Sequence, residues 1–357
     1  MPLNSSNCTH QQPPFASVRF YLVGLCGGFI SSASIFENVL LLYVLASRKR
    51  HRNSDALYLI TLAVFDLVVA GSYILLHSGN VWMDYFKDFR FFRLWFSYVL
   101  PTMTMSHCFM TASSFLILFA SIELYLTTLR HPAARFVKRF RVYVCFGALS
   151  IGILVNGTTM VEYQIIHVEK CAGTLAEFLL RLSPLAKHPF FKEFWRFYFR
   201  DLATVFLPFF ALAYFNLRTE FLLKAFHDTV KRRTTRRTFV WITATYLVSH
   251  VLSVVLCLWE HVNRSSLQQL RHFYFFAMDA IGLLKVLACT LRLPIYCFCK
   301  PEVASHLRQL LWFWPKPKVL RKQGTVQTPS TADRRVWLKV EFEGNGCYST
   351  VVHSTQF

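Results

Sequence analysis

The sequence has few charged residues for its length. Only 16% of the 357 residues are Asp, Glu, Lys or Arg, and 54% are hydrophobic. A soluble domain needs about 25% charged residues to cover its surface, so a pair of ordinary soluble domains is excluded. The same composition excludes a disordered chain and a collagen, and ten cysteines spread over this length exclude a small disulfide scaffold.

The motifs of the common enzyme classes are absent as well. The chain has no glycine-rich phosphate loop, no His-Glu-x-x-His zinc motif and no Cys-x-x-Cys pair, and its 13 histidines are scattered singly. It also lacks the inverted repeats and paired broken helices that are typical of transporters. We therefore expect no catalytic residues, no metal site and no cofactor.

What the sequence does contain is a set of seven long apolar segments. A helix needs about 20 such residues to cross the hydrocarbon core of a membrane. The segments are 19–46, 56–78, 93–126, 141–162, 197–223, 238–260 and 272–299. They predict an all-α fold, a seven-transmembrane helix bundle over residues 19–299. Residues 1–18 are then an outer N-terminal segment, 300–314 a short amphipathic eighth helix, and 315–357 a disordered cytoplasmic tail.

The formal charge of +20 would often indicate a nucleic-acid partner, but the positions of the basic residues favour another explanation. Of the 39 Lys and Arg, 25 lie in the first connection, in 127–141, in 218–237 and from residue 300 onward. These stretches share one side of a seven-helix bundle, so the positive-inside rule places the N-terminus outside the cell. Membrane lipid is the expected partner of this basic side, and nucleic acid is not needed.

Glycosylation sequons support the same orientation. Asn4, Asn7 and Asn263 each begin an Asn-x-Ser/Thr sequon, and all three fall on the predicted outer side. No cleavable signal peptide is recognisable at the N-terminus, so the first apolar segment would act as the insertion anchor. We expect a multi-pass protein of the plasma membrane.

Several short motifs occur within or just after the apolar segments. They are Glu37-Asn38-Val39, Leu62-Ala63-Val64-Phe65-Asp66, Ala120-Ser121-Ile122-Glu123-Leu124-Tyr125-Leu126, His131-Pro132, Pro208 and Leu291-Arg292-Leu293-Pro294-Ile295-Tyr296. Together they resemble the motifs of the rhodopsin-like (class A) G-protein-coupled receptors. The spacing of Asn156 and Glu162, and the run Leu258-Trp259-Glu260-His261, are similar to the nematode FMRFamide-type neuropeptide receptors.

This resemblance implies a receptor for an extracellular peptide ligand, a short amidated peptide of the RF-amide kind, that rearranges its helices to activate a heterotrimeric G protein. The inner face that meets the G protein would contain Glu123, Leu124, Tyr125, His131 and Pro132. Two other interpretations stay open. One is a small-molecule chemoreceptor, and the other is a decoy or escort membrane protein that has the receptor fold and does not signal.

Leu124 departs from the family pattern, and this departure favours the decoy interpretation. It stands where the family has an arginine, which pairs with the neighbouring acid in the silent receptor and meets the G protein in the active one. Because leucine can do neither, we expect Glu123 to lack its usual partner.

The resemblance also implies a polar switch region in the middle of the bundle. Asp66 is an ionisable residue in an apolar segment, which makes it a functional candidate. In the family this acid binds sodium together with a serine that corresponds to Ser113, and Asn38 and Tyr296 belong to the same region. Arg292, however, replaces the usual asparagine. It either forms an ion pair with Asp66 in place of sodium, or extends towards the inner interface.

The ligand pocket should open outward between the upper halves of helices three to seven. The candidate ligand-binding residues are Glu162, Trp259, Glu260, Asp279 and His250, with Lys285 and Tyr163 behind them. An Arg-Phe-amide end brings a cation and a ring, which an acid with aromatic neighbours would bind through charge-assisted hydrogen bonds and cation–π contact. Alternatively, the acids are solvated at helix ends.

The cysteines allow two modifications. Val99 stands where most family members have their disulfide cysteine, so a Cys8–Cys171 bridge is one alternative, beside free thiols or pairing between chains. Cys297 and Cys299 suit palmitoylation at the inner membrane face, although cysteine is also ordinary at a helix end.

Overall fold

The computed structural model describes Cys8, residues 15–46, 56–225, 230–263 and 269–299, and residues 304, 305, 307 and 308. Seven long helices make up most of this part. They are α1 (Ala16–Ala46), α2 (Ala56–Phe86), α3 (Phe89–Thr128), α4 (Arg141–Glu162), α5 (Glu193–Leu222), α6 (Arg237–Val262) and α7 (His272–Cys299). Each is long and apolar enough to cross a membrane. The chain is therefore a multi-pass membrane protein built as a helical bundle, as the sequence predicted.

Large apolar side chains on the outside of the bundle agree with a lipid environment. Phe29, Tyr143, Phe146, Leu154 and Val248 are each between 66% and 76% exposed. A surface of this kind is unfavourable in water and ordinary in hydrocarbon. Because lipid is as apolar as the core, the outward and inward faces of these helices have similar compositions.

The connection between α2 and α3 lies at the end of the bundle that the sequence predicts to be outside the cell, which we call the outer end and its opposite the inner end. This connection is shorter than the sequence suggested. We expected α2 to end at residue 78 and α3 to begin at 93, but α2 continues to Phe86 and α3 begins at Phe89. Gly79, Val81 and Met83 are buried, which makes this stretch an amphipathic extension of α2. The Asp88 side chain caps α3 by accepting a hydrogen bond from the Arg90 backbone N–H at 2.8 Å.

The third helix is too long to lie upright within the bilayer core. Its 40 residues span about 60 Å, against about 30 Å of hydrocarbon. It is the central element of the inner core, in which Leu116 of α3 packs with Leu62 of α2, Leu212 of α5 and Ile242 of α6. Gly152 brings α4 close, because a Cβ there would lie 2.3 Å from the Cys108 carbonyl oxygen.

A β-hairpin covers the outer end of α3, which the all-α prediction did not include. Strands β1 (Tyr163–His167) and β2 (Phe178–Leu182) pair antiparallel, with Ile165 opposite Leu180. Phe178 stacks on Phe96 of α3 at a ring-centroid distance of 5.7 Å, which seats the hairpin on the helix. The strands are five residues each; β1 follows α4 directly, and the short helix Pro184–Lys187 lies between β2 and α5.

Several predictions concern residues that lie wholly or mostly outside the described part of the chain. Asn4, Asn7 and the tail 315–357 are among them. Of the eighth helix expected at 300–314, only Ala304, Ser305, Leu307 and Arg308 are described, and Leu307 packs against the inner core. Asn263 is exposed just after α6, although the rest of its sequon falls outside the described part.

Candidate functional site

The switch region contains a buried ion pair between α2 and α7. The guanidinium of Arg292 donates to Asp66, and the Cys289 thiol donates to the other carboxylate oxygen at 3.4 Å. The side chains of Asp66 and Arg292 are only 1% and 7% exposed. Of the two alternatives for Arg292, the structure therefore has the ion pair and not the extension to the interface. Tyr296 lies within electrostatic range of both partners.

The other residues of the switch region, Asn38 and Ser113, do not hydrogen-bond to this pair in the described part of the chain. Asn38 donates to the Ser34 carbonyl at 2.9 Å within α1. The Ser113 hydroxyl is buried and has no hydrogen-bond partner in the described part of the chain. Because the Arg292 guanidinium already neutralises Asp66, a sodium ion would have no unbalanced charge to bind here.

At the inner end of the bundle, Glu123 has a partner that the sequence did not suggest. Arg141, the first residue of α4, contacts both carboxylate oxygens through its Nε at 3.1 and 2.9 Å, and its Nη2 also contacts Oε1. Both residues are buried, and the Arg141 guanidinium lies 5.7 Å from the centroid of the Tyr58 ring. Glu123 lacks the neighbouring arginine, as expected from Leu124, but it is not left unpaired, because Arg141 on α4 supplies the cation.

The remaining residues of the predicted inner face make structural contacts. Tyr125 packs against Phe215 of α5 with a ring-centroid distance of 5.5 Å. Pro132 precedes the short helix Ala133–Arg139, and the His131 imidazole accepts a hydrogen bond from the Ala133 backbone N–H at 3.2 Å. The His-Pro pair thus begins a helix in the second inner connection, a role that is independent of any partner protein.

Among the predicted ligand-binding acids, Glu162 is fully buried and already engaged. Arg200 of α5 donates to it at 2.6 Å and Thr158 at 2.9 Å. Arg196 lies 3.9 Å from its second oxygen and stacks on Tyr163. A ligand cation would have to displace Arg200 before it could reach this carboxylate.

The other predicted acids have neighbours of their own. Asp279 of α7 forms a two-pronged ion pair with Arg19 of α1, at 2.7 and 3.2 Å. Glu260 lies within electrostatic range of Asp201 on α5. Trp259 packs on Phe273 across the α6–α7 contact, with 5.8 Å between ring centroids. The set therefore lines the outer half of the bundle, and its two buried acids, Glu162 and Asp279, already pair with arginines of the chain itself.

The outer half of the bundle also contains a cation, Lys285, that is not paired with a described carboxylate. Lys285 of α7 lies within electrostatic range of His77, His107 and His250, which come from α2, α3 and α6. We call these four residues the Lys285 cluster. The Lys285 ammonium makes no ion pair with a carboxylate of the described residues. The sequence pointed to His250 and Lys285 but missed the two other histidines, because singly scattered histidines carry no signal.

Within the Lys285 cluster, His107 is exposed, yet the groups that it faces electrostatically belong to α2, α5 and α7. Its imidazole therefore faces the interior of the bundle and not lipid. On the far side, His250 stacks on Tyr246 at 3.8 Å, and Tyr246 donates to Ser114 at 2.6 Å. The Lys285 cluster thus contacts a hydrogen-bonded pair that joins α6 to α3.

The hairpin is tied to both the N-terminal segment and α3. Cys8 and Cys171 form a disulfide, so the first of the three alternatives for these cysteines is the one present. Gly173 has a φ of +81°, which suits glycine in the turn that follows Cys171. Cys297 and Cys299 at the inner end of α7 carry free thiols.

Glu177 holds the hairpin turn together. Its carboxylate accepts hydrogen bonds from the Gly173 backbone N–H and from Arg93 of α3, both at 3.0 Å, and lies 3.1 Å from the His167 imidazole. The Gly173 N–H above all, and then Arg93 and His167, hold the pKa of Glu177 below its ordinary value of 4.5.

This lowered pKa predicts that the hairpin turn is sensitive to acid. A carboxylate with a lowered folded pKa stabilises the fold above its unfolded pKa of 4.5, and this stabilisation is lost as the pH falls through the lower folded value. We expect hydrogen-exchange protection of residues 168–177, corrected for intrinsic rates, to fall on acidification below that window. Glu177→Gln should lower protection at neutral pH, whereas Glu169→Gln, an exposed acid in the same turn, should not. Equal protection in native protein and Glu177→Gln would contradict the prediction.

Comparisons with known proteins add no family assignment. No protein-family model and no curated protein matches this chain. Functional conclusions therefore depend on the residues and on the geometry of the bundle.

Proposed function

We propose that this chain is a seven-helix receptor of the rhodopsin-like class, with its N-terminus outside the plasma membrane. It binds a short peptide in the outer half of the bundle and activates a heterotrimeric G protein at its inner face. The observation that carries the proposal is the Lys285 cluster, an ammonium without a carboxylate partner among the described residues, within electrostatic range of histidines from three other helices. A partly buried charge of this kind is costly unless a partner arrives to pair with it.

The same observation specifies what the ligand contributes. Glu162 and Asp279 are paired with arginines of the chain itself, whereas Lys285 is not. We therefore expect the peptide to place an acidic group, such as a free C-terminal carboxylate, against Lys285 through a charge-assisted hydrogen bond. A peptide with an Arg-Phe-amide end could bind through the acids only by displacing Arg200 or Arg19.

The inner half supports signalling over the decoy interpretation. Two buried ion pairs, Asp66–Arg292 and Glu123–Arg141, join different helices across the bundle. Contacts of this kind have two discrete arrangements, paired and broken, so a ligand that favours one arrangement shifts the population of helix positions. Leu124 stands where the receptor family has an arginine, but Arg141 keeps Glu123 in an ion pair.

A matched peptide library tests the proposal. Each short peptide would be supplied in two forms, with a free C-terminal carboxylate and with an amide, and G-protein activation would be measured in cells. We expect active free-acid peptides to lose about 10–150-fold in potency in Lys285→Gln, the equivalent of about 1.5–3 kcal/mol for a hydrogen bond to a charged group. Lys87→Gln, at an exposed lysine in the connection between α2 and α3, is the matched control.

Other outcomes identify the alternatives. A preference for amidated peptides that Lys285→Gln leaves unchanged would favour recognition of an Arg-Phe-amide end by the acids. Activation by small carboxylates and by no peptide would favour a chemoreceptor. Peptide binding without G-protein activation, with activation restored by Leu124→Arg, would favour a decoy.

A further inference from the structure

Three metal-ligating side chains meet between α5 and α6 at the end of the bundle that carries the hairpin. They are Asp201 of α5 and Cys257 and His261 of α6, and one ligand atom of each lies within 4.8 Å of the other two. All three side chains are partly buried, so an ion could reach them. The proposed receptor function does not use them, and the sequence predicted no metal site.

The two ligands on α6 are held side by side by the helix. Residues four apart lie on one face, and the Cys257 Sγ is 3.8 Å from the His261 Nδ1. His261 Nδ1 donates to the Cys257 carbonyl at 2.7 Å, and its ring packs edge-on against Tyr198 and Phe206 of α5. The imidazole is therefore fixed beside the thiol. Because Nδ1 carries the donated proton, Nε2 is the nitrogen that can bind a metal, and such outer hydrogen bonds orient metal-binding histidines in known sites.

The third ligand crosses from the facing helix. The Cys257 thiol donates a hydrogen bond to the Asp201 carboxylate, and Glu260 brings a second carboxylate within electrostatic range of both. Arg200 also faces Asp201, but it is paired with Glu162 at 2.6 Å. Two carboxylates around a thiol and an imidazole form an environment that suits a divalent cation.

We propose that Asp201, Cys257 and His261 form a zinc site that bridges α5 and α6. Sulfur, nitrogen and carboxylate oxygen together favour zinc, whereas calcium and magnesium prefer oxygen alone. Zinc bonds of about 2.0–2.3 Å in a tetrahedron place ligand atoms about 3.3–3.8 Å apart, so the side chains must close by on the order of 1 Å. A water molecule takes the fourth position.

Binding replaces a proton by the metal. The S–H bond of Cys257 breaks, an S–Zn bond forms, and the proton that was shared with Asp201 leaves to solvent. No change of oxidation state is involved. The bound ion links α5 to α6 through three bonds where one hydrogen bond stood. It therefore stabilises the folded bundle by an amount that rises with the logarithm of the ion concentration above the dissociation constant.

Cobalt provides a direct test, because Co²⁺ occupies zinc sites and absorbs light when a thiolate is a ligand. The full chain would be purified in detergent and titrated with Co²⁺, and then with Zn²⁺ to displace it. We expect one Co²⁺ per chain with a thiolate charge-transfer band. Cys257→Ser should abolish the band, and His261→Ala and Asp201→Asn should each weaken Co²⁺ binding at least tenfold. Cys26→Ser, which changes an exposed cysteine on α1, is the control and should bind as the native chain does.

Thermal unfolding without metal shows whether each variant is folded, since serine keeps a hydroxyl donor for Asp201. Zn²⁺ should raise the unfolding temperature of the native chain and of Cys26→Ser but not of Cys257→Ser. A native chain without a thiolate band, or a Zn²⁺ effect that survives in Cys257→Ser, would overturn the zinc site. Because no signalling is measured, the result is independent of the proposed receptor function.

Discussion

Replacing Arg292 with alanine should destabilise the folded bundle by about 3–5 kcal/mol, because it leaves the Asp66 carboxylate buried without a partner. Asp66 is 0% exposed, and its only other described hydrogen bond comes from the weak thiol donor of Cys289. The cost should appear as a lower midpoint of thermal unfolding in detergent and as a loss of protein at the cell surface.

The double variant Asp66→Asn, Arg292→Gln shows how much of the lost stability comes from the unpaired charge and how much from mutation at these positions in general. It removes both charges and keeps polar groups that can bond to each other, so it should recover most of the lost stability. Arg218→Ala, at an exposed arginine of α5, is the control and should change the midpoint little. Native stability in Arg292→Ala would show that Asp66 does not depend on this arginine.

Replacing Arg141 with methionine should have a similar effect at the inner end of the bundle, also about 3–5 kcal/mol. Methionine keeps much of the volume of the arginine side chain but removes all of its hydrogen-bond donors. Glu123 is then a buried carboxylate without its ion-pair partner, beside the Tyr58 hydroxyl. If the chain signals as proposed, freeing Glu123 should also alter basal G-protein activation.

A double-mutant cycle measures the pair itself. Glu123→Gln combined with Arg141→Met should be more stable than the sum of the two single effects predicts, because the second change removes the charge that the first left unpaired. Arg139→Met, at an exposed arginine of the adjacent short helix, is the matched control. Additive effects in the cycle would contradict a direct interaction between the two side chains.

The helices could be predicted from the sequence because a bilayer sets their length. A run of about 20 apolar residues has one stable form in hydrocarbon, in which the backbone bonds to itself. All seven segments are helices in the structure, and the main errors lie at the outer ends. There the amphipathic stretch 79–86 and the hairpin 163–182 depend on packing against α3, which composition does not show.

The candidate site was predicted only in part, for a related reason. The ion pair between Asp66 and Arg292 could be predicted as one alternative from the sequence, because the depth of each residue in the membrane can be counted from the end of its helix. Arg141 was counted only as an inner basic residue, although it closes on Glu123. No role was predicted for Arg200, although it forms an ion pair with Glu162, the acid that was expected to bind a ligand.

The sequence by itself determined the seven helices that are long and apolar enough to cross a membrane, because length and apolarity are properties of each segment alone. It also determined which ionisable residues are placed within the apolar segments. The tertiary structure decided which of them meet: Glu123 with Arg141, Glu162 with Arg200, and Asp201 with Cys257 and His261. Such contacts depend on how each helix is rotated about its axis. In water an apolar stripe reveals that rotation, but helices surrounded by lipid are apolar on every side, so only packing against neighbours sets it.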